Sequence, residues 1–127
     1  MAKKKILLVD DSHTVLLLHR MMLSHCGYEL LTARDGQEAL DKASTLHPDL
    51  IFLDVLMPRM DGFQTCRALR ARTETKNVPI ILVTTRSEPQ YVRQGFESGC
   101  TDYITKPFDG EELLAKVRSH LEEARHA

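Results

Sequence analysis

The residues best suited to chemistry are carboxylates that directly follow apolar runs of sequence. Asp54 follows the apolar residues 50–53, and the pair Asp10 and Asp11 follows residues 6–9. An ionisable group is costly to bury without a partner or a cation, so each position needs an explanation. Short continuous apolar runs are typical of strands buried on both faces of a parallel sheet. In open parallel sheets, ligands bind at the carboxyl ends of the strands, where these aspartates are expected.

Strand-like and helix-like segments alternate along the chain. The predicted strands cover residues 6–9, 29–33, 50–53, 79–84 and 102–105, and each is followed by a segment with helical spacing of apolar residues. This alternation predicts βαβ units, a parallel sheet and helices on both of its faces. With right-handed crossovers, we expect an α/β fold with a doubly wound five-stranded parallel sheet in the order 2-1-3-4-5.

Capping and turn residues bound the predicted helices. The first helix is expected to begin at Asp11 or Ser12 and to stop at Gly27. Its expected buried face consists of Val15, Leu18, Met22 and Cys26, which recur at helical spacing. The later helices are predicted from Asp35-Gly36 to His47, over about residues 63–71, from residues 87–89 to Gly99, and from Asp109 onward.

The predicted strand order brings the candidate chemical groups together. Strands one and three lie side by side, so Asp10, Asp11 and Asp54 are expected in one crevice, with Thr84 and Lys106 arriving from the next strands. Carboxylates this close repel one another unless a proton or a divalent cation is shared. Carboxylate, backbone carbonyl and water ligands suit Mg²⁺ or Mn²⁺. An aspartate can attack phosphorus to give an acyl phosphate, and a lysine can hold a phosphoryl oxygen.

Length, charge and cysteine content limit the classes of protein. A chain of 127 residues predicts a single domain over residues 1–127. A net charge of −1, from 17 basic and 18 acidic residues, gives no basis for non-specific attraction to nucleic acid or anionic lipid. Cys26, Cys66 and Cys100 form no CxxC pair and predict reduced thiols in or near the core of a cytoplasmic protein. No apolar segment approaches the length of a membrane span.

Over essentially its whole length, the sequence resembles the receiver domains of two-component response regulators. The motifs that carry the resemblance are Asp10-Asp11 after the first strand, Asp54 in LDVLMPRMDG, Thr84 after PIILV, and YITKPF over residues 103–108. Each motif alone is weak, but all of them in this order and spacing are specific. The resemblance implies a flavodoxin-like receiver fold and a signalling switch controlled by phosphorylation.

The resemblance also implies roles for the acidic residues. Asp54 would accept a phosphoryl group from a phosphohistidine donor, either a sensor histidine kinase or a histidine phosphotransfer protein. Mg²⁺ (or Mn²⁺) would be bound directly by Asp11 and Asp54 and mainly through water by Asp10. The backbone carbonyl of Leu56 would complete the protein ligands.

The remaining motif residues are implied in phosphate contact and in the switch. Lys106 would contact the phosphoryl group, and its peptide bond to Pro107 is expected to be cis, as in the family. Thr84 would move toward the phosphoryl group while the ring of Tyr103 turns inward. These movements would change the surface of the fourth helix, fifth strand and fifth helix and so alter the binding of a downstream partner.

The resemblance sets further expectations about activity and partners. The protein would catalyse its own phosphorylation and slow dephosphorylation, with no separate substrate turnover. Residues two past Asp54 and two past Thr84, here Leu56 and Arg86, tune hydrolysis in the family, and Leu56 has no polar group to orient water. We expect a stand-alone regulator or a piece of a longer one, monomeric or dimerising on phosphorylation. Its partner would be a downstream protein or an attached output domain, with no direct contact to nucleic acid or membrane.

Some residues have competing interpretations. Leu16 and Leu17 make the apolar stripe of the first helix broader than one buried face needs. They are either additional core or a face that docks the phosphodonor or a partner helix. The other candidate acids are expected to be caps, turns and surface residues: Asp35, Asp41, Asp49, Asp61, Asp102 and Asp109. The histidines are expected at exposed positions: His13, His19, His25, His47, His120 and His126.

Two other functions are weaker alternatives. A Mg²⁺-dependent phosphohydrolase of the haloacid-dehalogenase type would need an Asp-x-Asp pair on the first strand, and Asp10-Asp11-Ser12 does not provide one. A flavodoxin-like cofactor site would need a phosphate loop rich in Ser, Thr and Gly after that strand. The acidic pair at this position would instead repel the phosphate of a cofactor unless a metal intervened.

Overall fold

The chain alternates strands and helices in a computed structural model that describes residues 3–121. The strands are β1 (Lys5–Val9), β2 (Glu29–Ala33), β3 (Leu50–Asp54), β4 (Ile80–Thr84) and β5 (Asp102–Thr105). The helices are α1 (His13–Leu23), α2 (Gly36–Leu46), α3 (Gly62–Arg70), α4 (Pro89–Glu97) and α5 (Gly110–Leu121). The predicted domain extent of 1–127 includes residues 1–2 and 122–127, and thus His126, which lie outside the described residues.

The strands form one parallel sheet in the order β2-β1-β3-β4-β5. This confirms the predicted α/β fold class and strand order. Every residue of β3 and β4 is buried, because helices cover both faces of the sheet. β1 and β3 are neighbours with Val9 level with Leu53, so the residues that follow leave the sheet side by side. The topology therefore places the acidic residues of two separate chain segments at one edge.

Side chains that alternate along the strands fill two cores, one on each face of the sheet. In β1, Leu7 and Val9 pack with residues of α2 and α3, whereas Ile6 and Leu8 pack with residues of α1 and α5. This alternation follows from the two-residue repeat of a strand. Both cores reach the carboxyl end of the sheet, so packed side chains on both faces hold the residues at that end in place.

α1 begins where predicted, but it ends earlier and buries a different face. Ser12 is its N-cap, with the side-chain hydroxyl accepting a hydrogen bond from the Val15 amide, and the helix ends at Leu23 rather than Gly27. The residues it buries are Leu16, His19 and Leu23, whereas Leu18 is exposed and Val15, Met22 and Cys26 are half-buried. Residues 15–18 are all apolar, so the sequence is compatible with two buried faces of the helix. One face begins at Val15 and the other is shifted by one residue and begins at Leu16. The face that is buried includes His19, and histidine is less often buried than the apolar residues of the predicted face.

Most of the other predicted helix boundaries are confirmed. Asp35, Asp61 and Asp109 cap α2, α3 and α5, and each accepts a 2.8 Å hydrogen bond from the amide three residues later. The Asp61 cap is reciprocal, because the Gln64 side chain accepts a bond from the Asp61 amide. α4 ends at Glu97, slightly before the predicted stop.

Asp102 and His120 depart from the expected surface positions. Both are half-buried, and the ring nitrogen Nε2 of His120 lies 2.8 Å from Asp102 Oδ2. Lys116 Nζ lies 2.9 Å from the other oxygen of Asp102. Burial opposes ionisation of Asp102, but the hydrogen bonds from His120 and Lys116 outweigh it and hold its pKa below the usual range. These contacts join α5 to β5, a strand at the edge of the sheet.

The predicted position of the cysteines in or near the core is confirmed. Cys66 and Cys100 are buried free thiols, and Cys26 is a half-buried one. Among residues 3–121, no helix combines the length and the apolar composition needed to cross a bilayer.

The corrected face of α1 separates Leu16 from Leu17, which are 3% and 51% exposed. Leu16→Ala should lower the free energy of unfolding by about 2–4 kcal/mol, because it leaves a cavity against β1 and β3. Leu17→Ala should change it by less than about 0.5 kcal/mol. Urea unfolding followed by circular dichroism measures both values. Equal losses in the two variants would contradict this assignment of the buried face.

Candidate functional site

Three carboxylates form a cluster at the carboxyl end of the sheet. Asp10 follows β1, Asp54 ends β3, and one oxygen from each of Asp10, Asp11 and Asp54 lies within 4.8 Å of the others. Asp10 and Asp54 are buried, while Asp11 is exposed. The Ser12 amide donates a 2.9 Å hydrogen bond to Asp10 Oδ1, which fixes that carboxylate at the start of α1. The predicted convergence of these aspartates is confirmed.

Lys106 brings an ammonium group into the acidic cluster. Its Nζ lies 3.1 Å from Asp54 Oδ1 and 3.5 Å from Asp10 Oδ2. The backbone amide of Lys106 donates a 2.7 Å hydrogen bond to the Thr84 carbonyl, which continues the β4–β5 pairing beyond the end of β5. The Lys106–Pro107 peptide bond is cis, as the family resemblance implied. The lysine is thus held at the crevice by its backbone as well as by its charge.

The cluster carries more negative than positive charge. Burial, followed by the charge of Asp10, raises the pKa of Asp54 to about 6, although Lys106 opposes this effect. Burial likewise raises the pKa of Asp10. Burial alone would lower the pKa of Lys106, but Asp54 and Asp10 outweigh it and leave that pKa raised. One ammonium group does not neutralise the carboxylates of the cluster.

This donor set fits a small, hard divalent cation. The side chains of Asp10, Asp11 and Asp54 offer only oxygen atoms as ligands. Oxygen-only sites with excess negative charge are typical of Mg²⁺ or Mn²⁺. The side chain of Leu56, which is 80% exposed, has no donor atom, so only the backbone of this residue could serve such an ion.

A glycine allows α3 to begin directly against the end of β3. A Cβ atom placed on Gly62 would lie 2.5 Å from the Asp54 carbonyl oxygen and 2.6 Å from Val55 Cα. The Gly62 amide donates a 2.8 Å hydrogen bond to the Val55 carbonyl, which closes the loop between β3 and α3. Any larger residue would push this loop, and Leu56 with it, away from the crevice.

The two predicted switch residues are linked through the backbone of Arg86. The Arg86 amide donates a 3.1 Å hydrogen bond to Thr84 Oγ1, and the Tyr103 hydroxyl donates a 2.7 Å bond to the Arg86 carbonyl. The Arg86 guanidinium lies 4.9 Å from the centre of the Tyr91 ring, and 3.7 Å separates it from a carboxylate oxygen of Glu88. Movement of Thr84 would therefore displace the backbone of Arg86 and with it the hydrogen-bond acceptor of Tyr103. Sequence reasoning considered Arg86 only for hydrolysis and missed this linkage.

The structure brings four of the predicted site residues together and places Tyr103 apart from them. Asp10, Asp11, Asp54 and Lys106 lie together in one charged cluster. Tyr103 lies outside that cluster, with its ring against Gly95 of α4, where an added Cβ would lie 3.1 Å from the ring.

An apolar groove adjoins the cluster on the α1 side. It has a volume of about 220 Å³ and is lined by Val15, Leu18, His19, Met22, Lys106, Pro107 and Phe108. His19, expected at the surface, is instead buried beneath this groove and was missed as a site residue. Its position three residues after Leu16 and four before Leu23 was the sequence signal for it.

Comparison with known families and proteins gives a consistent result. The family model described as the response regulator receiver domain matches residues 6–118. The alkaline phosphatase synthesis transcriptional regulatory protein PhoP of Bacillus subtilis is 43% identical over 118 residues, which cover 93% of this chain and 48% of that protein. The chain therefore spans about half the length of this curated relative. Protein PilG of Pseudomonas aeruginosa is 36% identical over 92% of this chain and 87% of its own length.

Solved structures are similar over almost the whole chain. Chemotaxis protein CheY4 of Vibrio cholerae is 39% identical, has a TM-score of 0.90, and is matched over 94% of this chain and 100% of its own. The receiver domain of sensor histidine kinase PA1611 from Pseudomonas aeruginosa is 30% identical with a TM-score of 0.88, covering 95% of this chain and 99% of that one. The PA1611 structure has a magnesium ion coordinated in its active-site cleft.

The raised pKa of Asp54 predicts that its ionisation destabilises the metal-free fold. Its pKa is about 6 in the folded protein against an ordinary 3.8, so folded protein binds the proton more tightly and the free energy of unfolding falls as pH rises through this window. Asp54→Asn should raise the free energy of unfolding by about 1–3 kcal/mol near neutral pH, with Lys106 still paired to Asp10. The gain should disappear below about pH 4.

Urea unfolding in the presence of a chelator, repeated between about pH 4 and pH 8, measures this effect. Asp41→Asn, at an exposed carboxylate of α2, is the matched control and should show no such gain. A destabilised Asp54→Asn variant at neutral pH would show that the contact with Lys106 outweighs burial and repulsion.

Proposed function

The chain belongs to the response regulator receiver domain family, a family of phosphorylation-dependent signalling switches, and on this premise we propose that Asp54 is its phosphoryl acceptor. The observation that carries the proposal is the position of the Lys106 ammonium, 3.1 Å from Asp54 within a cluster of three carboxylates. An aspartate is a competent nucleophile toward phosphorus when the charge that accumulates is neutralised and the groups are held in place. The cluster holds the groups in place, and Lys106 supplies part of the positive charge.

The oxygens of Asp10, Asp11 and Asp54, with the backbone carbonyl of Leu56, would hold Mg²⁺ or Mn²⁺. When bound, the ion would supply positive charge to the phosphoryl oxygens. The excess negative charge of the described cluster supports this assignment. The magnesium ion in the PA1611 receiver domain is consistent with it, because that chain has the same fold and is 30% identical.

In the proposed reaction, a carboxylate oxygen of Asp54 attacks phosphorus. The new bond joins this oxygen to phosphorus, and the bond that breaks joins phosphorus to the imidazole nitrogen of a phosphohistidine donor. Lys106 exchanges part of its pairing with the carboxylates for a hydrogen bond to a phosphoryl oxygen. Burial of Asp54 limits competition from water at the reacting oxygen.

Thr84 and Tyr103 would carry the signal from the crevice to the surface. A hydroxyl can donate to a phosphoryl oxygen, and Thr84 now accepts a hydrogen bond from the Arg86 amide. Movement of Thr84 toward Asp54 would strain that bond and shift the Arg86 carbonyl, to which Tyr103 is bonded. Because Tyr103 lies against Gly95, the change would reach α4, β5 and α5, the proposed output surface.

Intact mass spectrometry tests the phosphoryl-acceptor role. With Mg²⁺ and a small phosphodonor such as acetyl phosphate, the parent should gain one phosphoryl group. Asp54→Asn should gain none, and a chelator should block labelling of the parent. Asp41→Asn is the control and should label like the parent. Labelling of Asp54→Asn at the parent rate would place the acceptor elsewhere, and no labelling with any donor would remove the proposal.

The same labelled sample gives the lifetime of the acyl phosphate. We expect slow loss of the phosphoryl group, because the Leu56 side chain has no polar atom to orient an attacking water and Arg86 is engaged with Tyr91 and Glu88. Leu56→Asn should shorten the lifetime several-fold, less than the roughly 10²-fold or more that a fully positioned acid or base contributes. Equally fast loss in both proteins would contradict this role for Leu56.

The phosphodonor would dock on α1 and the segment that follows β5. Leu17, Leu18 and Met21 are exposed on α1, and Leu18 lines the apolar groove that includes Lys106. A donor helix packed there would present its phosphohistidine close to Asp54. The docking hypothesis for Leu16 is wrong, because Leu16 is buried in the core, whereas Leu17 remains available.

Leu18→Ser tests this surface without touching the crevice. Transfer from a phosphorylated histidine phosphotransfer domain that labels the parent should fall about tenfold, because an apolar contact of the interface is lost. Labelling by acetyl phosphate and the free energy of unfolding should stay unchanged. Leu46→Ser is the matched control, since Leu46 is an exposed leucine at the end of α2. A loss with both donors, or an equal loss in both variants, would argue against docking at Leu18.

A further inference from the structure

Three aromatic rings close a triangle directly beneath the acidic cluster. The His19 ring centroid lies 5.4 Å from that of Phe52, at an interplanar angle of 84°, and 5.4 Å from that of Phe108, at 31°. Phe52 and Phe108 lie 5.8 Å apart at 87°. These distances and angles fall within the range of favourable aromatic pairs. The triangle joins α1, β3 and the segment between β5 and α5.

Each phenylalanine of the triangle is two residues from a charged group of the cluster. Phe52 precedes Asp54 along β3, and Phe108 follows Lys106. Residues two apart on a strand point to the same face, so Phe52 extends the Asp54 side of β3 into the core shared with α1 and α5. His19 is the side chain of α1 that contacts both phenylalanines. His19 therefore contacts both Phe52, which lies two residues before Asp54, and Phe108, which lies two residues after Lys106.

The segment that carries Lys106 is held by its backbone at both ends. Residues 106–109 lie between β5 and α5 and belong to neither element. One end is held by the hydrogen bond from the Lys106 amide to the Thr84 carbonyl, and the other by the Asp109 cap of α5. Between these ends, Phe108 is the apolar anchor, and the rings of His19 and Phe52 are its aromatic contacts.

The chemistry of an imidazole suits this position. His19 is 5% exposed, and burial, followed by the charge of Lys106, lowers its pKa to about 4. The ring is therefore neutral near pH 7 and does not repel the lysine. Its flat face packs against Phe108 at a shallow angle, which a branched aliphatic side chain could not reproduce.

We propose that His19 is a positioning residue for Lys106: its ring fixes Phe108 against β3 and so keeps the ammonium beside Asp54. The proposal deepens the proposed function, on which the catalytic role of Lys106 rests. His19 touches neither a phosphoryl group nor Asp54 and acts only through the segment it packs against. Small displacements of a positioned group lower reaction rates strongly, so loss of the ring should be felt at Asp54.

Two substitutions and one control separate positioning from general stability. His19→Leu keeps apolar volume but removes the flat ring, and His19→Phe keeps a ring. Leu23→Ala is the matched control, because Leu23 is fully buried on α1 one turn further along and does not line the groove beside Lys106. Urea unfolding of each variant shows that the measurements are made on folded protein.

The first measurement reads Lys106 directly and needs no phosphorylation. In metal-free protein with ¹³C-labelled lysine, the Cε signal of Lys106 is identified by its absence in Lys106→Met. We expect this signal to move toward those of exposed lysines in His19→Leu, and to stay at the parent position in His19→Phe and Leu23→Ala. An unchanged signal in His19→Leu, or an equal change in Leu23→Ala, would overturn the proposal.

The second measurement is a double-mutant cycle on the rate of labelling by acetyl phosphate. His19→Leu should lower the rate about tenfold in the parent, because Lys106 is displaced, but less than about twofold in the Lys106→Met background. Mg²⁺ affinity should not weaken in His19→Leu. The same rate loss in both backgrounds would show that His19 does not act through Lys106 and would overturn the proposal. Failure of the parent to label at all would instead remove the proposed function, while the Lys106 signal would still test the position of the lysine.

Discussion

The structure is organised around an electrostatic imbalance, in which three carboxylates converge on one ammonium group at the carboxyl end of a parallel sheet. A single lysine cannot neutralise Asp10, Asp11 and Asp54, and burial increases the cost of their charge. The fold therefore holds a group of acids in an arrangement that is more favourable when additional positive charge is present. Such a site is suited to binding a cation and an anion together, which is what phosphoryl transfer requires.

The packed layers of the fold hold this unfavourable arrangement in place. β1 and β3 are buried neighbours, so Asp10 and Asp54 cannot move apart without disturbing both cores. Gly62 allows α3 to close the loop after β3 at a distance that no side chain would permit. On the other side, the backbone amide of Lys106 and the ring of Phe108 fix the lysine to β4 and β3. Hydrophobic packing thus stabilises a polar geometry that the polar groups alone would not maintain.

Those parts of the structure that depend on short sequence patterns were predictable, and those that depend on tertiary packing were not. Continuous apolar runs ending in acids identified β1 and β3, and strand order alone then brought Asp10 and Asp54 together. The face of α1 was misassigned because residues 15–18 are all apolar, and only the sheet selects which of them is buried. His19 was missed for the same reason, since its helical spacing from Leu16 and Leu23 marks it as buried only once the true face of α1 is known, and the fold alone brings the two phenylalanine rings to it. Thr84 and Tyr103 are linked through the backbone amide and carbonyl of Arg86, which every residue type except proline would offer, so the sequence gives no sign of this linkage.

The two-residue alternation of the strands makes the chain unequally tolerant of changes in length. Inserting or deleting one residue within β3 would move every later side chain of the strand to the opposite face of the sheet. Asp54 would then point away from Asp10 and Lys106. The charged cluster lies at the carboxyl ends of the strands and in the loops that leave them, whereas the loops that enter the strands lie at the opposite edge of the sheet. The longest described connection of the second kind, residues 71–79 between α3 and β4, contains none of the crevice residues. A change of length there would first disturb the local hydrogen bonds of Arg70 and the buried Thr75, at the edge of the sheet opposite the acids.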